Sequence, residues 1–131
     1  MPNDTAQILR QFYEGLNSSD PDAVMSLCDQ HVEVYISSDQ MSAIPPRGQK
    51  GVADYLNDWL QTWEEYQAEL EEFREVDDRV IAFVRARARG KGSRFMTETE
   101  NADVFTLRDG KIAHLRLYVD RDEALRGFPT E

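Results

Sequence analysis

"ENADVFTLRDGKIAHLRLYVD", residues 100–120, decides how this chain is read. Two runs rich in apolar and β-branched residues flank Arg108-Asp109-Gly110, a sequence suited to a tight hairpin turn. Side chains alternate across a strand, so Asn101, Asp103, Phe105 and Leu107 share one face. Phe105 and Leu107 belong inside. Asp103 then has two readings: a carboxylic acid in an apolar cavity, or a solvated residue at the open end of the strand. Burial would raise its pKa and let it donate a hydrogen bond or shuttle a proton. On the second run, Leu115, Leu117 and Val119 are the apolar alternates, and His114, Arg116, Tyr118 and Asp120 take the opposite face.

The rest of the second half has the same character. Strands are expected at about 65–76, 79–89, 94–107 and 111–119. The breaks are Asp77-Asp78, Gly90-Lys91-Gly92-Ser93 and Asp109-Gly110, all good turn sequences. Such short links imply an antiparallel meander. The first half is helical. Ile8, Leu9, Phe12 and Leu16 fall on one face of a helix over 4–16, which Asn3 or Asp4 can cap. Asp20-Pro21 opens a second, short helix with Val24, Leu27 and Cys28 facing inward. "HVEVYIS", 31–37, alternates as a strand. A loop containing Pro45-Pro46 follows, and Val52, Tyr55, Leu56, Trp59, Leu60 and Trp63 make the apolar stripe of a helix over 51–63. Asp120 with Glu123 fits a capping box for a last helical turn at 121–126. The expected fold is α+β over one domain, 1–131: a curved antiparallel sheet wrapped around three N-terminal helices, a cone with an internal pocket.

Charge narrows the partners. The formal net charge of −10 repels phosphate backbones and anionic lipid, so neither nucleic acid nor membrane is an expected partner. No apolar run approaches the roughly 18 residues of a membrane span. Cys28 is the single cysteine, which suits a reducing, cytoplasmic setting. His31 and His114 lack a third ligand at metal spacing, "RGKGSR" lacks the phosphate-loop pattern, and no cofactor motif is present. Glu69, Glu71 and Glu75 alternate on one strand, and Arg85, Arg87 and Arg89 on the next. They read as cross-strand charge pairs on an exposed face, or as a cation entering the cone at Arg85 or Arg87. A one-residue register slip exchanges the two.

"FYEGLNSSDPDAVMSL", "PPRGQKGVADYLNDWL", "VFTLRDGKI" and "YVDRDEAL", in this order and spacing, resemble the SnoaL-like branch of the nuclear transport factor 2-like superfamily, from about Ala6 to Leu125. The resemblance implies a cone-shaped pocket, often in a homodimer. It leaves the activity open, since ketosteroid isomerases, polyketide cyclases, dehydratases and epoxide hydrolases share the fold. Asp103 falls where the isomerases carry a protonated Asp. Phe12 stands at their tyrosine position, with Tyr13 one residue away and on a different face, and Tyr35 or Ile36 stands at the base position. Steroid isomerisation is therefore not expected. The epoxide hydrolases' acid falls on Leu117 and their Arg-x-Asp near Phe83 and Arg85, which does not match. The cyclases' acid falls near Asp120 or Asp122, and Asp120 reads better as a helix cap.

The expectation is a pocket for a small hydrophobic molecule, used by a cofactor-free acid–base enzyme or by a non-enzymatic binding module. Asp103 is the candidate catalytic group. Phe12, Tyr35, Tyr55, Trp59, Trp63 and Phe95 are candidate aromatic walls. Arg85, Asn101, Leu117 and Val119 complete the candidate ligand contacts. A homodimer through the open sheet face, carrying Arg116 and Tyr118, is also expected.

Overall fold

The computed structural model describes residues 4–37, 48–118 and 120–126, without the side chains of Asp4, Tyr35, Ile36 and Ser37. The Asn3/Asp4 cap, the Pro45-Pro46 loop, Val119 and the side chain of Tyr35 therefore lie outside the described residues. In order, the elements are α1 (Asp4–Asn17), α2 (Pro21–Met25), β1 (Cys28–Ser37), α3 (Gly48–Gln61), β2 (Trp63–Val76), β3 (Arg79–Gly90), β4 (Thr97–Arg108), β5 (Lys111–Tyr118) and α4 (Arg121–Arg126).

Strands β2 to β5 form the expected antiparallel meander, and β1 joins its far edge parallel to β5, giving the order β1-β5-β4-β3-β2. The parallel pairing was not foreseen: it joins residues about eighty apart (Val34 to Leu115), which local periodicity does not report. The hairpins turn where the sequence says. Asp77 (φ 56) links β2 to β3, and Asp109 (φ 54) with Gly110 (φ 78) links β4 to β5, the left-handed pair that a two-residue turn requires. β2 is interrupted by irregularities at Trp63/Glu65 and Leu70/Glu72, and such bulges bend a strand and increase its twist. α1 packs against β2 and α3 against β1.

The core lies between these helices and the inner face of the sheet. Phe105 and Leu9 are fully buried, and Phe105 meets the rings of Phe12 and Tyr13 edge-on at 5.2 and 6.4 Å. A fully buried ring of this kind contributes about 1.5–3 kcal/mol. On α1 the buried hydrophobic set is Ile8, Leu9, Phe12, Tyr13 and Leu16. Tyr13 thus shares the face from which the sequence reading excluded it: it is four residues after Leu9 and three before Leu16. A smaller cluster on the outer face packs Ile81, Phe83 and Ala102 against Ala124 of α4.

Two boundaries also differ from expectation. Cys28 begins β1 rather than ending the second helix; its thiol is buried and contacts the Val24 carbonyl at 3.4 Å. Trp63 begins β2 rather than ending α3, because the Thr62 amide and hydroxyl both turn back onto the Trp59 carbonyl and close the helix. The side-chain caps at Asp20 and Asp120 agree with expectation. Asp20 accepts from the Ala23 amide at 3.2 Å, and Asp120 from the Asp122 amide at 2.9 Å.

Candidate functional site

The helices and the inner face of the sheet enclose a cavity of about 190 Å³. Its floor is aliphatic: Val24, Val32, Val34 and Val52 from the first half, Ile112, Leu115 and Leu117 from β5. Phe12, Tyr55, Trp59 and Tyr66 supply rings. Two polar side chains from β4, Asn101 and Asp103, complete the wall.

Asp103 is only 5% exposed. β4 pairs it with Ala82 on β3 and Leu117 on β5, so its flanks are apolar. The Tyr13 hydroxyl donates to Asp103 Oδ2 at 2.6 Å. Among the described residues no other donor reaches the carboxyl, which leaves the second oxygen for the cavity. Burial pushes the Asp103 pKa from 3.8 to about 7, and the hydrogen bond from Tyr13 pulls weakly the other way. Tyr13 is held well above the ordinary phenol value, first by burial and then by the charge and hydrogen bond of Asp103. Tyr66 is raised for similar reasons, and burial alone raises Tyr55. These phenols remain neutral at physiological pH. The carboxyl is the group in this cavity that changes charge near neutrality.

The rings behind the wall are ordered. Trp59 meets Tyr66 edge-on at 4.8 Å, and Trp63 backs both at 6.0 and 6.4 Å. The proposed contacts thus separate. Phe12, Tyr55, Trp59, Asn101, Asp103 and Leu117 line the cavity, and Trp63 stands behind it. Two others are displaced. Arg85 lies on the outer face, where it pairs with Glu71, Glu98 and Glu100 at 3.0, 3.3 and 3.2 Å. The register decides this: Val84 and Ala86, on either side of it, turn into the core. Phe95 is 79% exposed, because β4 starts only at Thr97 and the Gly90–Ser93 turn leaves residue 95 beyond the core. Tyr13 and Tyr66 were missed. The i+4 and i+3 spacing of Tyr13 from Leu9 and Leu16 is the signal that finds it.

Among the described residues no group of three His, Cys, Asp or Glu could hold a metal ion. No helix among them is long and apolar enough to cross a membrane.

None of the curated proteins compared with this chain matches it in sequence. Solved structures do match in fold. TerC, co-crystallised with polyporic acid, is 17% identical with a TM-score of 0.79, over 95% of this chain and 97% of that one. A Mycobacterium tuberculosis protein in complex with estradiol-17beta-hemisuccinate is 13% identical with a TM-score of 0.75, over 92% and 97%. A SnoaL-like polyketide cyclase, so described, from Jannaschia is 14% identical with a TM-score of 0.76, over 95% and 92%. At these identities the likeness carries the fold: helices with a curved, unclosed five-stranded sheet. The SnoaL-like domain profile matches residues 9–115, from within α1 to within β5, and on that match the chain belongs to the SnoaL-like family.

Proposed function

We propose that the chain binds a small, largely apolar molecule in the cavity and exchanges a proton with it through Asp103, without a cofactor. One observation carries this reading. A buried carboxyl has one oxygen held by Tyr13 and the other turned to a ring-lined space. With a pKa of about 7, both protonation states are populated at neutral pH. The protonated form donates to an oxygen or nitrogen on the ligand. The ionised form accepts a proton from it. Tyr13 orients the carboxyl and returns it to the same place after each transfer. Isomerisation, cyclisation and dehydration are all within the reach of one such group. The relatives that hold polyporic acid and estradiol-17beta-hemisuccinate support the use of this fold's interior as a ligand site.

The test is a panel of one-ring ketones in deuterated water, with loss of the proton next to the carbonyl followed by NMR. Wild type is expected to exchange at least one ketone, and Asp103→Asn to lose about 100-fold or more of that rate. Binding without exchange selects the carrier reading of the same cavity. No difference between wild type and Asp103→Asn in either binding or exchange removes Asp103 from the site. A homodimer through the outer face of β4 and β5, near Arg116 and Tyr118, belongs to the same proposal. Light scattering at about tens of micromolar is expected to give twice the chain mass, and a monomer there would discard it.

A further inference from the structure

The cavity wall carries a carboxylate, Asp103. Among the described residues that line it, none is Lys, Arg or His. The ionisable groups beside Asp103 are Tyr13 on α1, which bonds it, and Tyr66 on β2, which feels its charge, while Cys28 on β1 and Tyr55 on α3 share the cavity lining. Burial holds Tyr13, Tyr55 and Tyr66 above their ordinary values, and pushes the Cys28 thiol up to about 11. None supplies a positive charge in any protonation state. The nearby cations are engaged elsewhere. Arg121 touches the Asn101 carbonyl but is held by Glu71 at 2.8 Å. Lys111 reaches the Ser26 carbonyl at 3.3 Å.

Buried carboxylates are normally paired, because an unpaired charge in a low-dielectric interior is expensive. Here no donor among the described residues reaches the second oxygen of Asp103, and aromatic side chains line the space beside it. Ring faces carry negative potential and attract a cation within about 6 Å. An anionic ligand would meet repulsion from both.

From this arrangement we infer that the ligand of the cavity bears a protonated amine on a one-ring apolar body, with its N–H donating to the free oxygen of Asp103 and the rings of Trp59, Tyr55 and Tyr66 around it. The inference rests on the reading of the cavity as a ligand site and specifies the ligand's polar group. Size fixes the body. An apolar cavity of about 150 Å³ takes benzene. The 190 Å³ here takes one ring and a short aminoalkyl tail. The proton balance closes by either route. A free amine meeting the protonated carboxyl takes its proton, and an ammonium meeting the carboxylate moves none. An ammonium meeting the protonated form must expel one proton to solvent.

The test compares phenethylamine, phenethyl alcohol and phenylacetate, three ligands of nearly equal shape, by calorimetry on the whole chain. At about pH 8 the amine is expected to bind about 10-fold or more tighter than the alcohol, and phenylacetate the most weakly. Below about pH 7 the amine's affinity should fall about tenfold per pH unit, with one proton released on binding. Asp103→Asn should erase the preference for the amine. Trp59→Leu should weaken the amine about 3-fold more than the alcohol, through the lost ring face. Equal affinity for amine and alcohol at about pH 8 overturns the ammonium inference and leaves the cavity as a ligand site. Failure of all three to bind overturns both readings.

Discussion

Asp103 and Glu71 are carboxylates of the same sheet with opposite fates. Asp103 faces the core, has a phenol for its one described partner, and is raised to about 7 by burial. Glu71 faces the solvent side, bridges Arg121 at 2.8 Å and Arg85 at 3.0 Å, and is lowered, chiefly by the hydrogen bonds from Arg121 and Arg85. The contrast separates structure from chemistry. Where a carboxylate meets arginines, its charge is neutralised and it serves the fold. Where a carboxylate is buried with no cation beside it among the described residues, burial imposes a cost to stability that the outer face does not bear.

The largest effect follows from that cost. The unfolded Asp103 binds its proton with a pKa near 3.8 and the folded one near 7. The folded state therefore holds the extra proton, and stability falls as pH rises between those values. Above about pH 7 the loss is complete, at about 4 kcal/mol for a shift from 3.8 to about 7. Asp103→Asn keeps the shape and removes the titration. Its urea midpoint is expected to exceed wild type at about pH 8, with the gap closing as pH falls toward about 4. A gap that is constant with pH would mean that Asp103 is solvated after all.

The next effect isolates the partner. Tyr13→Phe removes the donor and keeps the ring against Phe12 and Phe105. A hydrogen bond to a charged group is worth about 1.5–3 kcal/mol, so the variant should be destabilised by that order at about pH 8 and by less at about pH 5, where Asp103 is protonated. The Asp103 pKa should move further upward, because the lost hydrogen bond favoured the ionised form. A titration of the carboxyl carbon by NMR reads this directly. An unmoved pKa would transfer the whole perturbation to burial.

Much of this contrast was legible in the sequence. The alternation through Asn101, Asp103, Phe105 and Leu107 places Asp103 on the inner face, and the structure puts Phe105 at zero exposure on that same side. What failed were element ends. Trp63 continues the i+4 spacing of Trp59, so periodicity runs on past Gln61 although the helix stops there. Cys28 does the same after Val24. Arg85 is a different case. Its strand alternates Arg with Ala, and a period of two says that the faces differ without saying which one is inside. The apolar residues before it decide: Val80, Ala82 and Val84 face the helices, which sends Arg85 outward with Ile81 and Phe83.

The smallest effect tests the outer face. Glu71→Gln removes the carboxylate from its two arginines, while Arg85 keeps Glu98 and Glu100. A depressed folded pKa gives stability above the unfolded value of about 4.5 that is lost as pH falls through the folded one. The variant should therefore show a slightly lower urea midpoint than wild type at about pH 7, and the two should converge in acid. Exposed ion pairs are worth little and are screened, so the difference should also shrink at about 1 M salt, where the Debye length is about 3 Å. The Asp103→Asn difference should survive that salt, because Asp103 is buried while Glu71 lies at the surface. Salt thus distinguishes the two carboxylates even where pH does not. If it erased both effects alike, Asp103 would be as wet as Glu71, and a buried proton near neutrality would no longer explain either face.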